Sequence, residues 1–316
     1  MNEKLKMSFV GAAAKFNYDL NSLEELTNPK RVDQYILSEL NELLELNNKS
    51  VMQARAEYFK IPGTVPSDYE QKLIRIEDSD QYVLAGIRHF GQNPKKPFIY
   101  IWANFKIEEN KMESITKNIL PYFEIFNPLH ISYMCSPKLL SKHENSNNFS
   151  VSQKFYIANL KRIHAHTFPN KNKELTLEKI ENQDYYSWYE KEYSLFHQMA
   201  PEMRDIVPVN NFELMEKCRE ENLLYYGTVN NEKVGLIAAE KNDIFGIKGI
   251  YINEIMIAKD YRGNKYSESL LANFAASLPK SVKVLWSHID SRNIPSTKSA
   301  LNLGQKVFSI ECFYKL

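Results

Sequence analysis

The 316-residue chain sets 40 Lys and Arg against 39 Asp and Glu, a net charge of +1, with 43% hydrophobic and 25% charged residues. This is the composition of a globular protein of about two domains, and it gives no electrostatic case for nucleic acid or an anionic membrane surface. No run approaches the ~18 apolar residues of a membrane span, the polar opening lacks a signal-peptide core, and Cys135, Cys218 and Cys312 are too few and scattered for a disulfide framework; a cytoplasmic monomer or homodimer is expected, with no nucleic-acid or membrane partner.

In chain order, apolar residues at 32, 36, 37, 40, 43 and 44 have the three-and-four spacing of an amphipathic helix over 31–46, and a second helix is expected over 51–59, ending before Pro62. Residues 81–90 and 98–105 are aromatic and β-branched, parted by Gly91-Gln-Asn-Pro-Lys-Lys-Pro97, which predicts a hairpin with a long turn. A helix over 112–126, a strand at 130–134, a polar loop at 141–150 and a strand over 152–163 follow. The order then recurs. Helices at 184–199 and 211–221 precede a hairpin of 224–229 and 233–241 around Asn230-Asn231. A strand through Glu254, a helix from Tyr266, a strand at 281–289, a short helix at 296–303 stopped by Gly304 and a strand at 306–314 complete the chain.

The chain thus reads as two copies of one α/β unit, 1–168 and 169–316, joined at the polar stretch 165–173. The first copy is degenerate, because Lys106-Ile-Glu-Glu-Asn-Lys111 sets two carboxylates where the second copy carries an Arg-Gly loop. In the second copy, Glu254-Ile-Met-Ile-Ala-Lys-Asp-Tyr-Arg-Gly-Asn-Lys-Tyr-Ser267 reads as strand, loop and helix start. Backbone amides and the helix dipole there can hold a pyrophosphate. With only ten glycines, the chain has no Gly-x-Gly-x-x-Gly turn that would suggest a dinucleotide fold.

Two motifs in register resemble the GNAT superfamily of acyl-CoA-dependent N-acyltransferases over roughly the last 140 residues. Arg262-Gly-Asn-Lys-Tyr-Ser267 stands at the family's Arg/Gln-x-x-Gly-x-Gly/Ala, and Asn293-Ile-Pro-Ser296 with Gly304 stands at its Asn-x-x-Ala…Gly-Phe. Lys265 and Ser267 replace small residues, Gln305 replaces Phe, and Ala300 stands where many members carry the Tyr that protonates the leaving thiolate. The resemblance implies an α/β (α+β) fold of two tandem GNAT-like units, each a mixed, mostly antiparallel sheet flanked by helices. It also implies acetyl-CoA as co-substrate. The backbone of Ile255, Met256 and Ile257 would pair with the pantetheine, one amide meeting the thioester carbonyl. Arg262, Gly263, Asn264, Lys265, Tyr266 and Ser267 would form the pyrophosphate loop, and Asn293 and Ser296 the second motif.

Acyl transfer to an amine needs a base, an oxyanion donor and an acid for the thiolate. Glu254, a carboxylate in an apolar strand, is the first candidate for the base and His288 the second. Tyr314 and Ser299 are candidates for the acid. His164-Ala-His166 offers two ligands on one face of a strand but no third in register, so no metal is expected. The function expected is acetyl transfer to a primary amine of a small molecule, peptide or protein, by direct attack in a ternary complex. The alternatives are a catalytically silent acyl-CoA-binding sensor or scaffold, and a tandem GNAT transferase with another acyl or aminoacyl donor. The stretch 188–210, rich in aromatics, suits either an acceptor cleft or a helix packing face.

Overall fold

The computed structural model describes residues 1–77, 79–140, 148–165 and 174–316. By its contacts the chain forms two compact units. Unit 1 is Met1–Leu20, Thr27–Gln153 and Phe308–Leu316; unit 2 is Asn21–Leu26 and Lys154–Val307. The closing residues, expected in the second copy, therefore pack with the first, and the expected junction at 165–173 falls almost wholly outside the described residues.

Unit 1 opens with helices α1 (Glu3–Phe16), α2 (Pro29–Glu45) and α3 (Lys49–Phe59), of which α1 has no counterpart in the sequence reading. Strands β1 (Lys72–Arg75), β2 (Tyr82–His89) and β3 (Pro97–Ala103) form an antiparallel meander. Helix α4 (Glu109–Ile119) then crosses over to β4 (His130–Cys135), parallel to β3, and the short α5 (Pro137–Leu140) follows. The last strand, β11 (Lys306–Lys315), pairs antiparallel with β4. Glu108 caps α4 and Glu109 opens it, so the crossover helix of this unit presents carboxylates at its N-terminus.

Strand β5 (Phe149–Asn159) leads into unit 2 and stops earlier than the expected 152–163, because Asn159 accepts the Lys161 amide at 2.9 Å and starts helix α6 (Leu160–Ala165). His164 is therefore helical, its Nε2 3.0 Å from the Ala275 carbonyl, and His166 lies outside the described residues. The unit continues with β6 (Thr176–Lys179), α7 (Tyr185–Met199), α8 (Phe212–Glu220), β7 (Leu224–Val229), β8 (Glu232–Lys241), β9 (Gly249–Ile257), α9 (Tyr266–Ser277), β10 (Val284–Asp290) and α10 (Ile294–Asn302). Strands β6, β7, β8 and β9 form an antiparallel meander, and β10 lies parallel to β9 after the α9 crossover. Asn230 and Asn231 take positive φ, as the tight β7–β8 turn requires.

The two faces of the unit 2 sheet are buried by different helices. Val234, Ile237, Ile250, Ile252 and Leu285 pack with Leu270, Phe274 and Ala275 of α9. Leu236, Met256 and Tyr226 pack on the other face with Tyr185, Tyr189 and Tyr193 of α7 and Met215 of α8. Gly235 permits the close approach at α9, since a Cβ there would lie 2.6 Å from the Met256 carbonyl and 3.3 Å from Leu270. No helix among the described residues is long and apolar enough to cross a membrane.

Candidate active site

The site rests on an irregularity in β9. Ala238 faces Glu254 while Ala239 faces Ile252, so Asn253 is the extra residue of a β-bulge. In a regular strand, residues 250, 252, 254 and 256 would share one face. The bulge resets the alternation. Ile250 and Ile252 face α9, and beyond the bulge it is Ile255 and Ile257 that pack there, while Glu254 and Met256 turn to the α7 side.

The same bend parts β9 from β10. The two strands pair only at Val284↔Gly249, Leu285↔Ile250 and Trp286↔Tyr251, although each runs several residues further. Past that last pair, the edge of β9 turned away from β8 has no strand paired to it among the described residues. Ala258 donates its amide to Val234 of β8 at 3.0 Å, so by antiparallel alternation residues 254, 256 and 258 spend their backbone groups on β8. The Met256 backbone is thereby turned from the expected pantetheine contacts, and the backbone groups of Ile255 and Ile257 lie on the unpaired edge. One of these is taken internally, since Arg262 Nε donates to the Ile257 carbonyl at 2.8 Å. The Ile255 amide and carbonyl and the Ile257 amide remain, donors and an acceptor on one strand edge, as an extended amide ligand would require.

Glu254 is 6% exposed. Its Oε2 accepts the hydroxyls of Tyr189 and Tyr193, each at 2.7 Å, and the Asn210 side-chain amide at 3.3 Å. Tyr185, Tyr189 and Tyr193 form one stripe of α7 at four-residue spacing, which is why two of their hydroxyls reach the same carboxylate. Asn210 is itself held, its amide 3.1 Å from the Tyr189 hydroxyl and its side chain 3.2 Å from the Asn253 carbonyl at the bulge. Burial raises the pKa of Glu254, and the donors oppose that rise. The aromatic stretch after 185 is thus mainly packing whose polar ends position Glu254.

His288 follows Trp286 by two residues on β10, and its ring stacks on Tyr251 with centroids 5.7 Å apart. The Tyr251 hydroxyl bonds His288 Nδ1. With that hydroxyl as the donor, the neutral imidazole carries its proton on Nε2. One edge of the ring is exposed, yet the flanking Tyr251 and Phe155 rings desolvate it and lower its pKa. In that tautomer His288 offers a hydrogen-bond donor at Nε2; with the proton on Nδ1 it offers the base expected from the sequence.

The loop 262–267 turns the chain into α9. Gly263 has φ +80° with open space where a Cβ would sit, and Lys265, the N-cap, takes the left-handed region at φ +60° without capping the helix through its side chain. The residue type the family favours at 265, glycine, is the one suited to that backbone. Arg262 folds its guanidinium 4.4 Å over the Phe196 ring, so its side chain anchors the loop to β9 and α7. Asn264 Nδ2 reaches the Tyr261 and Arg262 carbonyls at 3.4 Å, and Tyr266 packs edge-on to Tyr261. Ser267 Oγ lies 2.9 Å from Ser299 Oγ, tying α9 to α10. Asn293 caps α10 by accepting the Ser296 amide at 3.2 Å. Ala300 is 3% exposed and faces the core. Tyr314 belongs to unit 1, opposite Ile131, and is not among the groups that unit 2 gathers.

No family model matches the chain, and no curated protein matches its sequence. Among solved structures it is similar to a GCN5-related N-acetyltransferase from Sphaerobacter thermophilus, at 11% identity, covering 87% of this chain and 92% of that one with a TM-score of 0.49. It is also similar to a GNAT-family acetyltransferase from Colwellia psychrerythraea, at 11% identity, 84% and 96% coverage and a TM-score of 0.44. A tandem GNAT protein from the clavulanic acid biosynthesis pathway shares 12% identity over 74% of this chain and 83% of its own, with a TM-score of 0.41.

Proposed function

We propose that unit 2 is an N-acyltransferase that moves an acetyl group from acetyl-CoA to a primary amine, and that unit 1 is a degenerate second copy without a CoA loop. The observation that carries this reading is the opened β9–β10 pair. It leaves the Ile255 carbonyl and the Ile257 amide on a strand edge between Glu254 and the loop that opens α9. An extended chain of amides fits that edge as a strand would. The amides of 263–267 and the Lys265 ammonium suit a pyrophosphate at its end.

Attack of the neutral amine on the thioester carbonyl forms the C–N bond and then expels the thiolate. Glu254 takes the amine proton, its pKa raised toward that of the amine. His288, with its proton on Nε2, would donate a hydrogen bond to the departing thiolate, supplying the stabilisation that Ala300 lacks the side chain to give.

Intact-mass detection of acetylated products, with acetyl-CoA and a panel of small amines, amino acids and lysine peptides, tests the reading. Transfer to any of them that is lost in Glu254→Gln supports it. CoA binding without transfer to any acceptor would favour the sensor reading.

A further inference from the structure

Unit 1 holds a second polar cluster, unrelated to the unit 2 site. Arg55 of α3 donates Nη1 to the Tyr69 carbonyl at 3.0 Å and Nη2 to the Ile87 carbonyl at 2.6 Å. Arg88 of β2 donates Nη1 to that same Ile87 carbonyl at 2.7 Å, and Nη2 to Gln71 Oε1 at 2.9 Å. Two guanidinium nitrogens on one oxygen can stand no further apart than the sum of their two distances, so two positive charges meet here. Among the described residues neither has a carboxylate partner. Like charges gathered in a half-buried place are costly unless an anion joins them.

The second observation is Gln71, only 5% exposed. Its backbone is fixed by Asn47, which accepts the Gln71 amide at 2.6 Å and donates to its carbonyl at 3.1 Å. Its side chain lies against Gly86, where a Cβ would come within 2.2 Å of the amide group. Because Oε1 is turned to Arg88, Nε2 is left as a sealed donor without a partner. Among the described residues the Nε groups of Arg55 and Arg88 have no partner and neither is sealed in that way, so both can be reached from outside. His89, 9% exposed and stacked on Phe59 at 3.8 Å, adds two ring nitrogens without partners. The ring is neutral, one nitrogen a donor and the other an acceptor, so the donors whose acceptor is missing are the two arginines and Gln71 Nε2.

We propose that Arg55, Arg88 and the Gln71 amide form an oxyanion site of unit 1 that takes the carboxylate or phosphate group of a small metabolite. The planar forks of two arginines suit either group. The site stands on this geometry alone and is independent of acyl transfer by unit 2.

The test follows the arginine Nε–H resonances of the full chain by NMR during titration at constant ionic strength. Inorganic phosphate and sulfate form one arm, acetate and succinate the other, and chloride is the control. A saturable shift of the Arg55 and Arg88 signals is expected in one arm and identifies the group. In Arg88→Gln the affinity should fall by at least ~10-fold, the loss of one charged bidentate donor. Arg55→Lys, which keeps the charge, provides a second variant if Arg88→Gln does not fold, and it should weaken binding without abolishing it. No saturable shift with any of the four anions would overturn the proposal. So would shifts that persist unchanged in both variants.

Discussion

Glu254 is the residue on which the proposed chemistry turns. Glu254→Gln should lower turnover of a lysine-type acceptor by ~10²-fold, the usual scale for a positioned base, while acetyl-CoA affinity stays unchanged by calorimetry. Its pKa is raised by burial, so the acid limb of the rate profile should lie above the range of an ordinary carboxylate. The stability effect has the opposite sense. A carboxyl whose folded pKa exceeds its unfolded value favours the fold below the unfolded value, and that contribution is lost as pH rises through the raised one. Chemical denaturation across this window should show the loss in wild type and not in Glu254→Gln. Tyr193→Phe removes a donor that favours the charged form, so it should move the acid limb to still higher pH. At His288 the tautomer makes a sharp distinction. Because Gln can imitate an Nε2–H donor but not a base, His288→Gln should retain most activity, while His288→Ala and Tyr251→Phe each lose at least ~10-fold. Equal losses in His288→Gln and His288→Ala would mark a base.

At the scale of the element, the bulge at Asn253 decides what the sequence could not. The strand through Glu254, the loop and the α9 helix are legible as an apolar run, an Arg-Gly and a periodic segment. The face on which Glu254 stands is not, because one inserted residue reverses the alternation and no residue type announces it. The partners of Glu254 come from α7 and the 210 loop, far off in sequence, and the signal that could have found two of them is the four-residue spacing of Tyr185, Tyr189 and Tyr193. Strand β5 is shorter than the β-rich run predicts, because Ile157, Leu160 and Ile163 have the three-residue spacing of a helix and Asn159 starts one. The loop before α9 carries a testable strain. Lys265→Gly should relieve the left-handed cost and stabilise the protein by up to about 1 kcal/mol in denaturant melts, while weakening CoA through loss of the ammonium. A rise in CoA affinity would show the lysine to be a hindrance.

At the scale of the molecule, each unit carries an antiparallel meander, a crossover helix and a strand parallel to the last of the meander. What a repeat pattern could not show is where each segment packs. Residues 154–165 belong with unit 2 and 308–316 with unit 1. A fragment cut at 169 therefore lacks β5 and α6, including Leu160 and Ile163 of the unit 2 core, and should not give a cooperative melt, whereas the full chain should. The central claim is that acyl-CoA lies along β9 of unit 2, and residue-resolved amide hydrogen exchange with and without CoA tests it most directly. Slowed exchange is expected at the Ile257 amide and across 263–267, with the Met256 amide unchanged because β8 already holds it. No protection at Ile257 or in the loop at saturating CoA, or protection confined to unit 1, would contradict it.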